Sequence, residues 1–144
     1  GAITPIGNTL ADYWQGLLSG ANGIGPITHF DASNQACRFG GEVKDFDPHQ
    51  YLERKEAKRM DRFCHFAVAA SQQAVTDAQF VINELNADEI GILIGTGIGG
   101  LKVLEDQQTI LLEKGPSRCS PFMIPMMIAN MASGLTAIHL GAKG

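Results

Sequence analysis

Residues 90–101 read Ile-Gly-Ile-Leu-Ile-Gly-Thr-Gly-Ile-Gly-Gly-Leu, and how this stretch is read decides the fold. Ile90–Ile94 is a short apolar run closed by Gly95, the pattern of a strand buried on both faces. Residues 95–100 form the densest glycine cluster in a chain that holds 17 Gly among 144 residues, well above the roughly 7% of average usage. Leu101–Lys114 then reads as a helix, closed by Gly115-Pro116. Strand, glycine turn and helix in that order belong to an α/β protein.

Gly95-x-Gly97-x-x-Gly100 also satisfies the dinucleotide-binding fingerprint, in which glycines let a pyrophosphate approach a helix N-terminus. Three features count against a nucleotide-binding module. A second apolar strand ending near an acidic residue should follow the helix, yet the chain continues as GPSRCSPFMIP, punctuated by proline. Glu113 stands near the expected distance, but inside the end of the helix. More than half the chain precedes the motif, which usually opens its domain. The plainer reading is a tight strand-to-helix turn against which a ligand or another backbone packs closely.

Downstream, Ser120-Pro121 is a helix start, and a methionine-rich helical stretch is expected to run to Leu140, stopped by Gly141. Met123, Met126, Met127 and Met131 lie here, four of the five methionines in the chain. Methionine fills irregular apolar space and adapts to flexible partners. The stretch is therefore either ordinary core or the wall of an acyl-chain or subunit-contact surface.

Upstream, Thr9 or Asn8 caps a helix whose apolar face is Leu10, Trp14, Leu17 and Leu18, ending at Gly20. Residues 20–37 read as a long connection and Arg38–Val43 as a short edge strand. Asp47-Pro48 opens a short helix. A long helix is expected over Glu56–Ala78, with Met60, Cys64, Ala67, Val68, Ser71, Ala74, Val75 and Ala78 on one stripe.

At its start, residues 53–62 carry Arg54, Lys55, Lys58, Arg59 and Arg62 against Glu53, Glu56 and Asp61. Five basic residues against three acidic ones leave a local charge of +2 in a chain of net charge -4. Arg54/Lys58 and Lys55/Arg59 are like-charged i,i+4 pairs, mildly destabilising in a helix. The segment is either a solvated helix start or a docking patch for an acidic protein or a phosphate group. The net negative charge disfavours nucleic acid.

Composition excludes other classes. Three widely spaced cysteines, Cys37, Cys64 and Cys119, make neither a disulfide framework nor a metal knuckle. His29, His49, His65 and His139 are scattered, so no metal site is expected. No run of about 18 apolar residues is present, so no membrane span is expected. The first residues, GAITPIGNTL, have no charged leader region and no initiator Met.

Taken together and in order, GAITPIGNTL, GGEVKDFDP, RKEAKRMDRF, IGILIGTGIGGL, GPSRCSPFMIPMMIANM and HLGAKG resemble the N-terminal part of the β-ketoacyl-[acyl carrier protein] synthases. These are condensing enzymes of the thiolase superfamily. The GTGIGG form looks closer to the type II branch than to the bacterial type I synthases. Polyketide ketosynthases and their chain-length partners are related alternatives. The resemblance spans essentially all 144 residues. It implies that residues 1–144 are the N-terminal part of a five-layered αβαβα fold, clipped at both ends. It implies a homodimer that takes acyl- and malonyl-loaded acyl carrier protein, without cofactor, in the cytoplasm, or in the plastid stroma for a plant source.

The family's nucleophilic cysteine and its histidines match no residue of this chain, so the chain alone is expected to be inactive. Three surfaces do carry over. Ile98 matches the branched residue that lines the acyl pocket and gates chain length, with Gly97 and Gly99 beside it. Met123, Ile124 and Met127 match the region that closes the partner subunit's pocket. Arg54, Lys55, Lys58, Arg59 and Arg118 match the basic face that receives the acidic carrier. Ser117 stands where some relatives have a basic residue, which weakens docking from that loop.

Overall fold

The computed structural model describes all 144 residues, which fall into two compact units, residues 1–47 and residues 48–144. In the first unit, helix α1 (Leu10–Leu18) begins on Thr9. The Thr9 hydroxyl oxygen accepts the Asp12 N–H at 3.1 Å, and its proton goes to the Asp12 carboxylate at 2.7 Å. Strands β1 (Ile24–Pro26) and β2 (Phe39–Gly41) form an antiparallel pair with Gly25 opposite Gly40. The expected edge strand over Arg38–Val43 is thus present in shorter form. Its partner lies inside the stretch expected to be connection. Gly25-Pro26 reads as a breaker, but at the end of a two-stranded ribbon a proline removes no essential ladder bond. Glu42 closes the ribbon, its carboxylate accepting from the Thr28 hydroxyl at 2.7 Å and the Thr28 N–H at 3.0 Å. Those bonds hold the Glu42 carboxyl below its ordinary value, the Thr28 hydroxyl foremost.

The second unit opens with a 3-10 turn at Pro48–Gln50, where a short helix was expected. The long helix expected over Glu56–Ala78 is two helices, α2 (Arg54–Ala57) and α3 (Arg62–Asp77). Asp61 is the reason. Its backbone is extended and its side chain accepts from the Phe63 N–H at 3.4 Å, making it the cap of α3. The like-charged i,i+4 pairs just before it weaken any continuous helix. Leu52, Ala57 and Val68 form the core here, with Tyr51 and Met60 packed against it. Cys64, Val68 and Ala69 of α3 are fully buried, whereas Ala74 and Ala78 of the expected stripe are exposed.

Helix α4 (Leu101–Lys114) matches its expected bounds. The methionine-rich stretch does not run through to Leu140: it divides into α5 (Met123–Met127) and α6 (Met131–Leu140). Helix α6 packs on α3, and its Ala132 and Thr136 are buried.

The expectation of a doubly buried strand over Ile90–Ile94 is overturned. The segment joins no sheet. Ile90, Ile92 and Ile94 are half-buried while Gly91 and Leu93 are exposed, Leu93 to 98%. One face leans on α6, where the Ile94 N–H donates to the Ser133 hydroxyl at 2.9 Å and that hydroxyl donates to the Ile94 carbonyl at 3.3 Å. No neighbouring strand in the chain covers the other face.

Leu85, Leu93, Leu112 and Ile138 are each at least three-quarters exposed. The helices and ribbon assemble an α/β chain whose only sheet is two-stranded.

Candidate functional site

The glycine turn is built against the end of α5. Gly99 has φ +81°, and a Cβ placed there would lie 2.5 Å from the Met127 carbonyl oxygen. At Gly100 a Cβ would lie 2.6 Å from the Met126 carbonyl oxygen and 3.0 Å from Asp61 Oδ2. Only glycine tolerates both positions. The Gly100 N–H donates to the Met127 carbonyl at 2.8 Å. In a continuous helix that carbonyl would serve Met131, whose N–H goes to Ile128 instead. The break between α5 and α6 therefore belongs to the glycine turn.

This arrangement also disposes of the dinucleotide reading. The turn meets the carbonyl end of a helix, a region of negative partial charge. One of the donors a pyrophosphate needs is already spent on Met127. No strand leads directly into the motif, the element before it being the 3-10 turn at Ala87–Glu89.

Gly97 and Ile98 stand on the open side of the turn. Nothing lies within 4 Å of a Cβ at Gly97, and Ile98 is 69% exposed. Ile124 is also exposed, while Met123 and Met127 are half-buried. The structure thus joins Gly99 to Met127 through backbone contact, and leaves the Ile98 and Ile124 side chains largely free.

The basic segment lies beside the same turn. Arg54 and Lys55 are on α2, Lys58 caps it, and Arg59 follows. All four are exposed, as is Arg118 in the 3-10 turn at Pro116–Arg118. The Arg59 guanidinium sits over the Phe122 ring, 4.7 Å from its centre, a cation–π contact. Phe122 is the residue from which α5 starts. Asp61 reaches the turn from the other end of the segment. Neither Phe122 nor Asp61 is a candidate site residue by sequence. Asp61 was legible as a cap preceding an apolar run. Phe122 had no local signal, because its role depends on Arg59, 63 positions away.

The thiols and imidazoles form no metal site. Cys64 is fully buried, and burial pushes its thiol up to about 12 with a contribution from the Asp61 charge. A nucleophilic cysteine needs the opposite environment. The His65 Nε2–H donates to the Ala57 carbonyl across 2.9 Å. The carbonyl can only accept, so Nε2 carries the proton. Burial, with help from Arg62 and His49, holds this imidazole below its ordinary value. No helix is long and apolar enough to cross a membrane.

Known proteins of similar sequence and fold indicate the family. The chain is 88% identical over all 144 residues to 3-oxoacyl-[acyl-carrier-protein] synthase 2 of Synechocystis sp., of which it covers 35%. It is 47% identical to the Staphylococcus aureus protein of the same name, covering 36% of it. The chain thus spans about a third of the length of these curated relatives. Among solved structures, it superposes on the ishigamide ketosynthase/chain length factor with a TM-score of 0.84 and 30% identity, covering 99% of this chain and 36% of that one. A β-ketoacyl synthase from Burkholderia phymatum shares the fold with a TM-score of 0.80 at 20% identity, over 99% of this chain and 35% of that one. The family model of the beta-ketoacyl synthase N-terminal domain matches residues 1–144, and the chain belongs to that family.

Proposed function

We propose that the protein carrying this chain is a 3-oxoacyl-[acyl carrier protein] synthase of fatty-acid elongation, an acyltransferase. An acyl group is held as a thioester on a cysteine outside these residues. Malonyl-acyl carrier protein loses carbon dioxide, and the resulting carbanion attacks the acyl thioester and releases the thiolate. The observation that carries this reading is the 88% identity, over every residue of the chain, to a relative of that name.

Within this scheme residues 1–144 are the N-terminal part of the fold and supply surfaces rather than the reacting groups. Gly97, Ile98 and Gly99 line the acyl pocket, with Ile98 as the gate. Met123, Ile124 and Met127 close the pocket of the second subunit of a homodimer. Arg54, Lys55, Lys58, Arg59 and Arg118 receive the acidic carrier. The exposure of Ile98 and Ile124 supports the first two assignments, since both side chains are available to a ligand or a second subunit. The exposed cations beside the turn support the third. No cofactor enters the scheme, and the proposed compartment is the cytoplasm or the plastid stroma.

Purified whole protein, given acyl- and malonyl-carrier, is expected to release carbon dioxide and form 3-oxoacyl-carrier in equal amounts. Decarboxylation without carbon–carbon bond formation would favour the second reading, a polyketide-type chain-length partner. The likeness to the ishigamide ketosynthase/chain length factor is the observation behind that alternative.

A further inference from the structure

A shallow cleft of about 280 Å³ opens on the second unit, lined by Pro48, His49, Arg54, Ala57, Lys58 and His65. Three elements meet there: the 3-10 turn supplies His49, the α2 segment supplies Arg54 and Lys58, and α3 supplies His65. We propose that this cleft is a binding site for a phosphate-class oxyanion, held by Arg54 and Lys58 and flanked by the two imidazoles.

Arg54 and Lys58 lie one helical turn apart, a spacing that costs energy through repulsion unless an anion sits between them. No carboxylate is within ion-pair distance of either. Guanidinium and ammonium groups together give a fork of donors and a point charge, the pairing suited to phosphate oxygens. His65 already spends its Nε2–H on the Ala57 carbonyl, leaving Nδ1 to gain a proton when negative charge arrives. Its imidazole lies close enough to those of His49 and the charges of Asp61 and Arg62 to be influenced by all three. Asp61 opposes an anion, but Glu53, which precedes α2, and Glu56, on it, are exposed and pair with none of the cleft cations.

Such an oxyanion could be free phosphate or a phosphodiester on a partner's prosthetic arm. The first source is independent of the carrier reading, and the second rests on it. Both are tested by titrating the whole protein with orthophosphate in one arm and diethyl phosphate in the other, following the His49 and His65 ring protons by NMR. Saturable shifts with orthophosphate, with the His65 titration moving to higher pH, would establish a free-anion site. Saturation by diethyl phosphate alone would establish the phosphodiester source. The Arg54→Ser/Lys58→Ser double variant, its melting temperature checked, should weaken binding at least about tenfold. No saturable shift with either compound, or binding that survives the double variant, would overturn the proposal. Loss of carrier-dependent condensation with phosphate binding intact would instead count against the carrier reading alone.

Discussion

The backbone N–H of Gly100 donates to the carbonyl of Met127 across 2.8 Å, so the glycine turn and the break between α5 and α6 form a single structural unit.

Gly100→Ala should destabilise the whole protein by about 1–3 kcal/mol, since a Cβ there overlaps backbone that cannot move aside. The Met126 carbonyl oxygen would stand 2.6 Å from it. Gly97→Ala, with open space around its Cβ, should cost less than about 1 kcal/mol. Urea unfolding of the two variants checks the difference, and equal midpoints would refute it.

Ile98→Phe should leave the melting temperature unchanged, because the side chain is 69% exposed and supports no core. Under the proposed function it should shift products to shorter acyl chains by filling the pocket. Chain-length analysis of the products decides, and an unaltered profile would remove Ile98 from the gate.

Lys58→Glu and Arg59→Glu should each raise KM for the carrier by up to about tenfold, with little effect on kcat, as expected for charges at the rim of an interface. The effect should shrink at high salt. Arg59 also stacks on Phe122, so Lys58→Glu is the cleaner test of docking charge. Unchanged KM in both variants would sink the docking surface.

Cys64 should resist alkylation in the folded protein at pH 8, while exposed Cys37 reacts. With its thiol pushed up to about 12, Cys64 has almost no thiolate there. An unfolded thiol ionises near 9.0, so the stability that neutral Cys64 contributes is present below that pH. It is lost progressively as pH rises from 9.0 towards about 12. Peptide mapping after iodoacetamide treatment checks the first point, and equal labelling of the two cysteines would contradict it.

Thr136 is fully buried on α6 and its hydroxyl has no hydrogen-bond partner. Thr136→Val keeps the shape and removes the orphaned group, so it should be neutral or stabilise by up to about 1 kcal/mol. A melting temperature several degrees lower in the variant would show that the hydroxyl is satisfied after all.

Local signals in the chain were strong wherever the deciding interaction was local. The Thr9 cap and the bounds of α1 and α4 depend on residues within one or two turns of each other, and their expected limits match, although Leu10, Trp14, Leu17 and Leu18 of the apolar face of α1 are exposed. The basic segment was legible as a charge cluster, and its exposure followed from its composition. Two expected long helices came out divided, for reasons of different reach. Asp61 ends one through a cap that lies in plain sight in the sequence, whereas the division at Ile128–Asn130 depends on Gly100, which is distant along the chain.

The sequence by itself determined the order of elements, the glycine turn before α4, the basic segment and, through its motifs, the family. Tertiary structure alone decided which glycines are indispensable. Gly97, Gly99 and Gly100 look alike in the motif, but only the last two meet a helix end, because steric exclusion depends on what stands opposite the Cα. It also decided the state of Ile90–Ile94, whose apolar residues were expected to be buried on both faces. Burial requires covering elements on each side, and within this chain α6 covers only one.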